Sequence, residues 1–453
     1  MNPDRLLTKS LRASPYSERV TRIMAAALEA VDPVKAIEQH LNRDGSQLTI
    51  GTRVYSLNDI ERILLIGFGK ASVPMGNTVA RILEGYISEG ILITKGKAPP
   101  GDKSQIPVHE GAHPVPDQRS IIGAQKVVKL LSTTTKNDLV VFLISGGGSA
   151  LLTLPVPEVS LNDIQSLTKL LLGCGANINE INCLRKHLSQ VKGGQLAHLA
   201  YPAQVVTLIL SDVVGDPLDV IASGPTVPDQ STFSDALAIL EKYEIIEDAP
   251  PSILKHIQLG TERKIADTPK TGDMIFKSIE NKVIGNNYQA SKAAISQAQN
   301  EGFNTLLLTT SLQGEAQIAG KMLAAIAKQV ATTGEPIPRP ACIVTGGETT
   351  VTLRGNGLGG RNQELALGAV EDLAGLDNVM LITLATDGDD GPTDAAGAVA
   401  TGETLERALL LGKNPSRYLS RNASYEFFDQ LGDLLKPGMT GTNVNDITFL
   451  FFF

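Results

Sequence analysis

Short apolar runs alternate with longer amphipathic segments along most of this chain. The runs are continuous in Val, Ile and Leu, which is typical of strands buried on both faces of a parallel sheet, and the amphipathic segments have helical spacing. In chain order, the predicted strands are RILLIGF, GILITK, DLVVFLIS, AQVVTLILSD, NKVIG, FNTLLLTT, CIVT and VMLITLA. Because helices separate most of these strands, the pattern predicts an α/β protein with mainly parallel sheets in both halves.

A polar, proline-containing stretch interrupts this pattern and predicts two domains. We expect an N-terminal domain over residues 1–245, a connector or hinge over 246–275 and a C-terminal α/β domain over 276–453, with the two domains facing a cleft. Residues 5–41 have helical periodicity and are expected to pack on the first core. FLFFF, at residues 449–453, is interpreted as a final strand packed into a domain.

The first predicted strand runs directly into GFGKAS, a glycine turn followed by a helix. Lys70 follows this turn, where a lysine can meet a carboxylate or a phosphate as a point charge. The alternative is a solvated surface lysine. GFGK matches neither GxGxxG nor GxxxxGK[ST], so this motif alone does not identify a nucleotide fold.

A second glycine-rich turn follows the strand DLVVFLIS. Backbone N–H groups of such a turn can approach an anion closely, and the next residues can begin a helix whose N-terminus adds favourable potential. We therefore expect the phosphate or carboxylate cradle of the first half to consist of Ser145, Gly146, Gly147, Gly148 and Ser149. A catalytic-triad serine is not supported, because SGGGSA lacks the GxSxG elbow.

Polar residues follow other predicted strands and helices. His113 lies in HEGAHPVPD, where prolines and a glycine argue against a helical metal pair with His109; it could donate to a substrate, or it could satisfy backbone carbonyls. Asp212 begins a turn-rich segment just past a strand, a position that suits Mg²⁺ beside a phosphate, although turn aspartates often bond only their own backbone. Arg185 and Lys186, near a helix end, are interpreted as solvated or as capping carbonyls.

In the C-terminal half, the strands CIVT and VMLITLA each lead into a glycine-rich loop, over residues 345–364 and 386–397. Loops at the carboxyl ends of such strands hold ligands. Arg361 begins a predicted helix, where a cation opposes the positive helix end unless an anion is bound nearby, so its position suggests an anion site. The alternative is a flexible glycine hairpin with a solvated arginine. Asn443, Asn445 and Asp446 precede the last strand and favour turn bonding over ligand contact.

Composition restricts the class of partner. The net charge of -8, without a basic block, argues against nucleic-acid binding and favours small-molecule chemistry. The 3 cysteines, Cys174, Cys183 and Cys342, form no metal or disulfide pattern and suit a reducing compartment. No apolar segment has the length of a signal-peptide core or of a membrane span, so we expect a cytoplasmic protein without a membrane partner.

Seven motifs, taken in order, closely resemble those of bacterial and animal glycerate 2-kinases, whose C-terminal part is the MOFRL domain. They are GFGKAS, EGAHPVPD, FLISGGGSALL, SDVVGDPLDVIASGPTVPD, GGETTVTLRGNGLGGRNQELAL, ATDGDDGPTDAAG and TGTNVNDI, and they span nearly the whole chain. The resemblance implies a Rossmann-like N-terminal domain, a smaller MOFRL domain, and phosphorylation of D-glycerate by ATP at the 2-hydroxyl with a divalent metal, here Mg²⁺. One departure is Ala112, where we would expect glycine before the histidine.

The motif match implies key roles for Lys70 in the GxGKA turn and Arg361 in the GGRNQE motif. Our hypothesis is that these two cations anchor the glycerate carboxylate and the transferring phosphoryl group. Asp212 and Asp387 are the candidate metal ligands. Further substrate- or phosphate-binding candidates, besides the 145–149 turn, are His113, Gly346, Gly347, Glu348 and Asn362. Either Glu348 or one of the two candidate metal ligands could orient the substrate hydroxyl.

Two other functions stay open at this point. A hydroxypyruvate reductase would use NAD(P)H, but GFGKAS is an incomplete dinucleotide fingerprint and no acidic residue ends GILITK to bind a ribose. A non-catalytic sugar-acid or nucleotide-binding protein is the other alternative. The expected partners are D-glycerate and ATP, and a homodimer is left as an open option.

Overall fold

The computed structural model describes residues 2–96 and 105–453 of the chain. Part of the proline- and glycine-rich loop expected after GILITK, residues 97–104, lies outside the described residues. The chain divides into a central unit, Ala36–Ile284, and a terminal unit, which combines Met1–Lys35 with Gly285–Phe453. This division differs from the predicted domain boundaries in three respects. The first 35 residues belong with the C-terminal segment, the predicted connector 246–275 belongs to the central unit, and residues 276–284, which were expected to begin the C-terminal domain, also belong to the central unit.

The strands are named in chain order. They are β1 Leu41–Asp44, β2 Gln47–Ile50, β3 Arg53–Ser56, β4 Arg62–Phe68, β5 Ile87–Lys95, β6 Val108–Gly111, β7 Asp138–Ile144, β8 Gln204–Leu210, β9 Ile279–Gly285, β10 Asn304–Leu312, β11 Ala341–Gly347, β12 Val379–Ala385, β13 Gly397–Thr401, β14 Leu434–Leu435 and β15 Asp446–Phe452.

The α-helices are named in the same way. They are α1 Lys9–Ala13, α2 Ser17–Ala30, α3 Pro33–His40, α4 Ser72–Ile82, α5 Gln118–Leu131, α6 Gly148–Leu151, α7 Leu161–Gly173, α8 Ile178–His187, α9 Gln195–Ala200, α10 Phe233–Lys242, α11 Pro251–Thr261, α12 Asn287–Asn300, α13 Ala316–Thr333, α14 Arg361–Leu373, α15 Thr404–Leu410, α16 Pro415–Leu419 and α17 Ser424–Leu431. Short 3-10 helices cover Pro3–Leu6, Ile221–Ser223 and Met274–Ser278.

The central unit is built on a sheet with the strand order β6-β5-β4-β7-β8-β9. The pairs β5/β6, β4/β5, β4/β7 and β7/β8 are parallel. All residues of β7 are buried, as its continuous apolar run predicts for a strand covered on both faces. The parallel α/β sheet predicted for this part of the chain is therefore confirmed.

A helical layer in the central unit contains the predicted connector. Helices α7, α8, α10 and α11 bury a shared apolar cluster that includes Leu184, Leu240, Ile253 and Ile257. Ser160, Asn177 and Thr232 each close a capping box with the acidic residue three positions later, which fixes where three of these helices begin. Residues 251–261 thus form a packed helix and not a hinge.

The terminal unit contains a sheet with the order β10-β11-β15-β12-β13-β14. Strands β10 and β11 are parallel, and β15 runs antiparallel to both β11 and β12, so β10, β11 and β12 share one direction. The α/β class with mainly parallel strands is confirmed. This sheet is nevertheless mixed: only β10 and β11 pair in parallel, because β15 is antiparallel to β11 and β12, and β13 is antiparallel to β12 and β14.

The aromatic end of the chain and the helical lead-in both pack in the terminal unit. Phe449, Phe451 and Phe452 are fully buried, which confirms the interpretation of FLFFF as a packed strand. Helix α2 packs on α12, and the ring of Tyr16 stacks on Phe453 with centroids 4.0 Å apart. The expectation that the lead-in covers the first core was therefore wrong for these helices, since an amphipathic stripe does not specify its partner.

The three cysteines are free thiols, as expected. Within the described ranges, the helices include none that combines the length and the apolar content needed to cross a bilayer.

We expect Phe451→Ala to lower the free energy of unfolding of the terminal unit by about 3–5 kcal/mol, because it removes a fully buried ring from the central strand of the sheet. The ring lies 5.8 Å from that of Phe303 and 6.0 Å from that of Phe449, between centroids. Guanidinium chloride unfolding would measure the change. Met439→Ala, at a position 80% exposed, is the control and should change little. A loss below about 1 kcal/mol for Phe451→Ala would contradict the central position of β15.

Candidate active site

Four of the predicted site segments follow neighbouring strands of the central sheet. Lys70 comes after β4, His113 after β6, Ser145 directly after β7, and Asp212 after β8. Because the paired strands β4 to β8 are parallel, their carboxyl ends lie along the same edge of the sheet. Ligands of open α/β sheets bind outside this edge. The structure therefore brings these four sequence candidates to one side of the central unit.

The GFGK turn and the SGGGS turn are bonded directly to each other. Lys70 N–H donates to Gly146 O over 2.9 Å, and Ala71 N–H donates to Ser145 Oγ, also over 2.9 Å. Gly69 has φ +131°, and a Cβ at this position would overlap Ser145 Oγ. Only glycine permits this close approach. The two predicted anion-binding turns thus form one connected backbone segment.

Part of the 145–149 turn is available as an anion cradle. Gly148 N–H is already used, because it donates to Ser145 O over 3.2 Å. Among residues 2–96 and 105–453, the N–H groups of Gly146 and Gly147 have no backbone acceptor. The helix that follows, α6, has only 4 residues, so the helix-dipole contribution expected from the sequence is small. The cradle therefore depends on the turn itself.

The imidazole of His113 packs on this turn. Gly147 has φ +83°, and a Cβ there would lie 2.9 Å from His113 Cδ2. Burial, together with the charges of Lys70 and Lys95, lowers the pKa of His113 to about 4, so the ring is neutral at pH 7. Within the described part of the chain the ring has no hydrogen-bond partner. The interpretation that it satisfies backbone carbonyls is not what the structure shows.

In the terminal unit, Arg361 is the first residue of α14, as the sequence predicts. Its Nε donates to Asp446 Oδ2 over 2.6 Å, its Nη2 to Asp446 Oδ1 over 3.2 Å, and its Nη1 to Glu348 Oε1 over 2.8 Å. The solvated alternative is thus excluded. The anions that offset the positive helix end are the protein's own carboxylates.

Several carboxylates share this small region. Burial raises the pKa of Glu348, and the neighbouring charges of Asp446 and Asp387 raise it further, whereas Arg361 lowers it. Burial likewise raises the pKa of Asp446. Burial, with the charge of Asp446, raises the pKa of Asp390 to about 7. We call Glu348, Asp387, Asp390 and Asp446 the carboxylate cluster.

Asp390 caps the start of α14. Its carboxylate accepts from Gln363 N–H over 2.9 Å and from Asn362 Nδ2 over 3.4 Å. A Cβ on Gly360 would overlap this carboxylate, so the glycine before Arg361 makes room for the cap. Asn362, a predicted substrate-binding residue, is only 2% exposed. Its amide supports the carboxylate cluster.

The predicted cradle at Gly346 and Gly347 is not an open turn. Both residues lie in β11 and pair with Ile447 and Asp446 of β15. The side-chain amide of Asn287 fills the space beside Gly346 and donates to Asp446 O over 2.9 Å. What remains is a cavity of about 10 Å³, the size of one water molecule, lined partly by both glycines. The expectation of a phosphate cradle here is therefore corrected: these glycines allow tight packing of the sheet.

Sequence reasoning also missed the role of Asp446, which it assigned to a turn. A carboxylate directly before a continuous apolar strand is buried with that strand and needs a cation nearby. The position of Asp446 before the final apolar run is therefore the sequence signal that could have predicted its ion pair. Within the described residues, no group of three His, Cys, Asp or Glu side chains is arranged to bind a metal ion. Neither Asp212 nor Asp387 therefore belongs to a metal-binding group of three such side chains among these residues.

Comparison with known proteins gives matches along nearly the whole chain. Residues 19–258 match a domain of unknown function, DUF4147, and residues 341–446 match the MOFRL family. The D-glycerate 2-kinase of Thermotoga maritima is 43% identical, over 94% of this chain and 95% of that protein. This chain belongs to the MOFRL-domain glycerate 2-kinase family.

Other relatives support the family assignment and carry different names. A crystal structure titled glycerate kinase, from Thermotoga maritima, superposes with a TM-score of 0.85 at 41% identity and covers 96% of this chain and 99% of its own. A protein of Agrobacterium vitis named putative hydroxypyruvate reductase is 39% identical, over 94% of this chain and 92% of its own. Within this glycerate 2-kinase family chain, the segment that matches MOFRL contains Arg361 and the complete carboxylate cluster.

Titration of Asp390 should make the stability of the terminal unit depend on pH. Its folded pKa, about 7, exceeds the ordinary value of an aspartate, so its stabilising contribution is full below about pH 4 and is lost as the pH rises to 7. One such group gives a slope of up to about 1.4 kcal/mol per pH unit. We expect the free energy of unfolding to fall between pH 4 and 7, and Asp390→Asn to flatten this fall. Urea unfolding at several pH values would measure it.

The control for this experiment is Asp389→Asn, an exposed neighbour on the same loop. It should keep the wild-type slope. Equal slopes in wild type and Asp390→Asn would show that Asp390 does not titrate in this range.

Proposed function

We propose that this protein transfers the γ-phosphoryl group of ATP to the 2-hydroxyl of D-glycerate, giving 2-phosphoglycerate and ADP. The observation that carries this proposal is the 43% identity to a D-glycerate 2-kinase over almost the full length of both chains. Phosphoryl transfer needs an anion cradle and cations for the developing charge, and both residues implied by the family motifs, Lys70 and Arg361, are present.

In the central unit, Lys70 and the 145–149 turn are our candidates for binding the phosphates or the substrate carboxylate. Lys70 is exposed, and its backbone is fixed to the turn through Gly146. A lysine in such a place acts as a point charge toward an oxyanion. The neutral imidazole of His113 has one N–H donor for a substrate hydroxyl or carboxylate.

In the terminal unit, Arg361 keeps donors for a ligand. A guanidinium has five N–H donors, and three are used by Asp446 and Glu348, so two remain on the Nη atoms. The side chain is 33% exposed. We propose that the carboxylates hold the guanidinium in a fixed orientation, with the remaining donors directed to an anionic substrate. That Lys70 and Arg361 act at one cleft stays a prediction from the sequence.

We also propose that Mg²⁺ is used together with ATP. Because no group of three metal-binding side chains exists among the described residues, the ion would be held by one or two carboxylates and by the nucleotide phosphates, which is how Mg²⁺ is commonly bound. Asp212 and Asp387 are the proposed carboxylates. When bound, the ion would offset charge on the phosphates.

Phosphorus NMR after incubation of the protein with D-glycerate and MgATP tests the reaction directly. We expect equimolar 2-phosphoglycerate and ADP. Formation of 3-phosphoglycerate would overturn the position of transfer. Oxidation of NADH or NADPH with hydroxypyruvate, without phosphoryl transfer, would instead support the reductase named for the Agrobacterium vitis relative.

We expect Lys70→Met to lower kcat/KM at least about tenfold, because a charge-assisted contact to an oxyanion contributes about 1.5–3 kcal/mol. Steady-state kinetics with both substrates would measure this. Lys169→Met removes an exposed lysine from α7 in the same unit and is the matched control. A value of kcat/KM for Lys70→Met within about threefold of wild type would exclude the assigned role.

A further inference from the structure

The last turn of α8 contains three basic residues, Arg185, Lys186 and His187, whose surroundings differ. Lys186 Nζ lies 3.3 Å from Asp229 Oδ1 and 3.6 Å from Asp219 Oδ2. His187 Nε2 lies 2.9 Å from Asp267 Oδ1. These contacts explain two of the three side chains as structural.

Arg185 has no such partner. Within residues 2–96 and 105–453, its guanidinium forms neither a hydrogen bond nor an ion pair. The residue is half-buried, and burial lowers its pKa. Leaving a partly desolvated charge unpaired costs free energy unless a ligand supplies the counter-charge. The expectation that this arginine is solvated or caps carbonyls therefore does not hold.

A chain of hydrogen bonds links the helix face of Arg185 to the 145–149 turn. Asn182 lies three residues earlier and accepts from Ser223 Oγ over 3.1 Å. Ser223 Oγ is in turn 3.0 Å from Ser149 Oγ. Residues three apart share a helix face, and helical side chains lean toward the N-terminus of their helix. We therefore expect the side chain of Arg185 to extend along α8 toward Asn182.

A second basic residue, Lys192, is buried next to the 145–149 turn. Lys192 Nζ donates to Ser149 O over 2.8 Å and to Leu152 O over 2.7 Å, and the residue is 4% exposed. Burial lowers the pKa of Lys192 to about 7, and the positive charge of Arg185 contributes to this shift. The acceptors of Lys192 are backbone carbonyl oxygens and not carboxylates.

We propose that Arg185 is a substrate-binding residue that holds an oxyanion, the carboxylate of the hydroxy acid or a phosphate of the nucleotide, at the 145–149 turn. The planar guanidinium suits either group, because its parallel N–H donors match two oxygens of a carboxylate or a phosphate. Lys192 holds the end of this turn in place by donating hydrogen bonds to the carbonyl oxygens of Ser149 and Leu152. This inference rests on the proposed kinase function for the identity of the substrates, and it adds a cation that the motif comparison did not single out.

Steady-state kinetics of Arg185→Gln, with D-glycerate and ATP varied separately, test the inference and identify the source of the oxyanion. We expect the KM of one substrate to rise roughly 10- to 100-fold, as for loss of a charge-assisted contact. A rise for D-glycerate assigns the carboxylate, and a rise for ATP assigns a phosphate. Arg185→Lys should recover part of the loss, since it restores the charge without the two parallel donors.

Two further measurements separate binding from a structural role. The melting temperature of Arg185→Gln should stay at or above that of wild type, because the substitution removes a charge that has no partner in the protein. Arg81→Gln removes an exposed arginine that pairs with Glu38 on the surface of the same unit, and should leave both KM values unchanged. A lower melting temperature with both KM values within twofold of wild type would overturn the proposal.

Direct binding distinguishes failure of this inference from failure of the proposed function. Isothermal titration calorimetry with D-glycerate and with sodium tripolyphosphate needs no turnover. If the wild type forms no 2-phosphoglycerate but Arg185→Gln binds one probe at least tenfold more weakly, the oxyanion site stands and the kinase proposal fails. If both proteins bind each probe within twofold of each other, or if the wild type binds neither, the oxyanion site is excluded.

Discussion

The ion pair between Arg361 and Asp446 is the constraint on which the terminal unit depends. Asp446 begins the last strand, and Arg361 begins the helix after the glycine-rich loop, so the pair joins two segments 85 residues apart at the centre of the unit. A carboxylate buried to this degree is tolerated only with a cation and further donors around it. Removing Arg361 would leave the buried carboxylate of Asp446 without its cation, at a cost of about 3–5 kcal/mol, whereas removing Asp446 would leave Arg361 paired with Glu348.

This constraint explains the glycines around the pair. Gly360 makes room for Asp390 to cap the helix, and Gly346 makes room for Asn287, whose amide donates to the carbonyl of Asp446. The glycine-rich sequence at these positions therefore serves close packing around a buried charge. At Gly69 and Gly147 in the central unit, glycine instead allows the GFGK turn and His113 to approach the 145–149 turn closely. Glycine thus allows tight packing around a buried charge in one unit and close approach of the candidate site segments in the other.

Strand positions followed from the sequence because continuous apolar runs have few alternatives in an α/β chain. The direction of β15 did not, since an apolar run is the same pattern in either direction, and the amphipathic helices α1 and α2 contain no information on which core they cover. Lys70 and Arg361 could be predicted as site residues because they lie where a strand ends and where a helix begins. The ion pair of Asp446 and the surroundings of Arg185 were not predicted, because both depend on tertiary burial. Lys186 has carboxylate partners that its neighbour Arg185 lacks within the described residues, and the helix pattern is the same for both.

The two units differ in what surrounds their buried basic side chains. This difference affects where we expect an anionic substrate to bind. In the terminal unit, three donors of Arg361 are satisfied by carboxylates, so the local charge is already offset before any ligand arrives. In the central unit, Lys192 has only carbonyl acceptors and Arg185 has no partner in the described chain. An uncompensated positive field raises both the affinity and the encounter rate for an anion. We therefore expect tight anion binding in the central unit, and we expect Arg361 to orient a group whose charge is already partly neutralised.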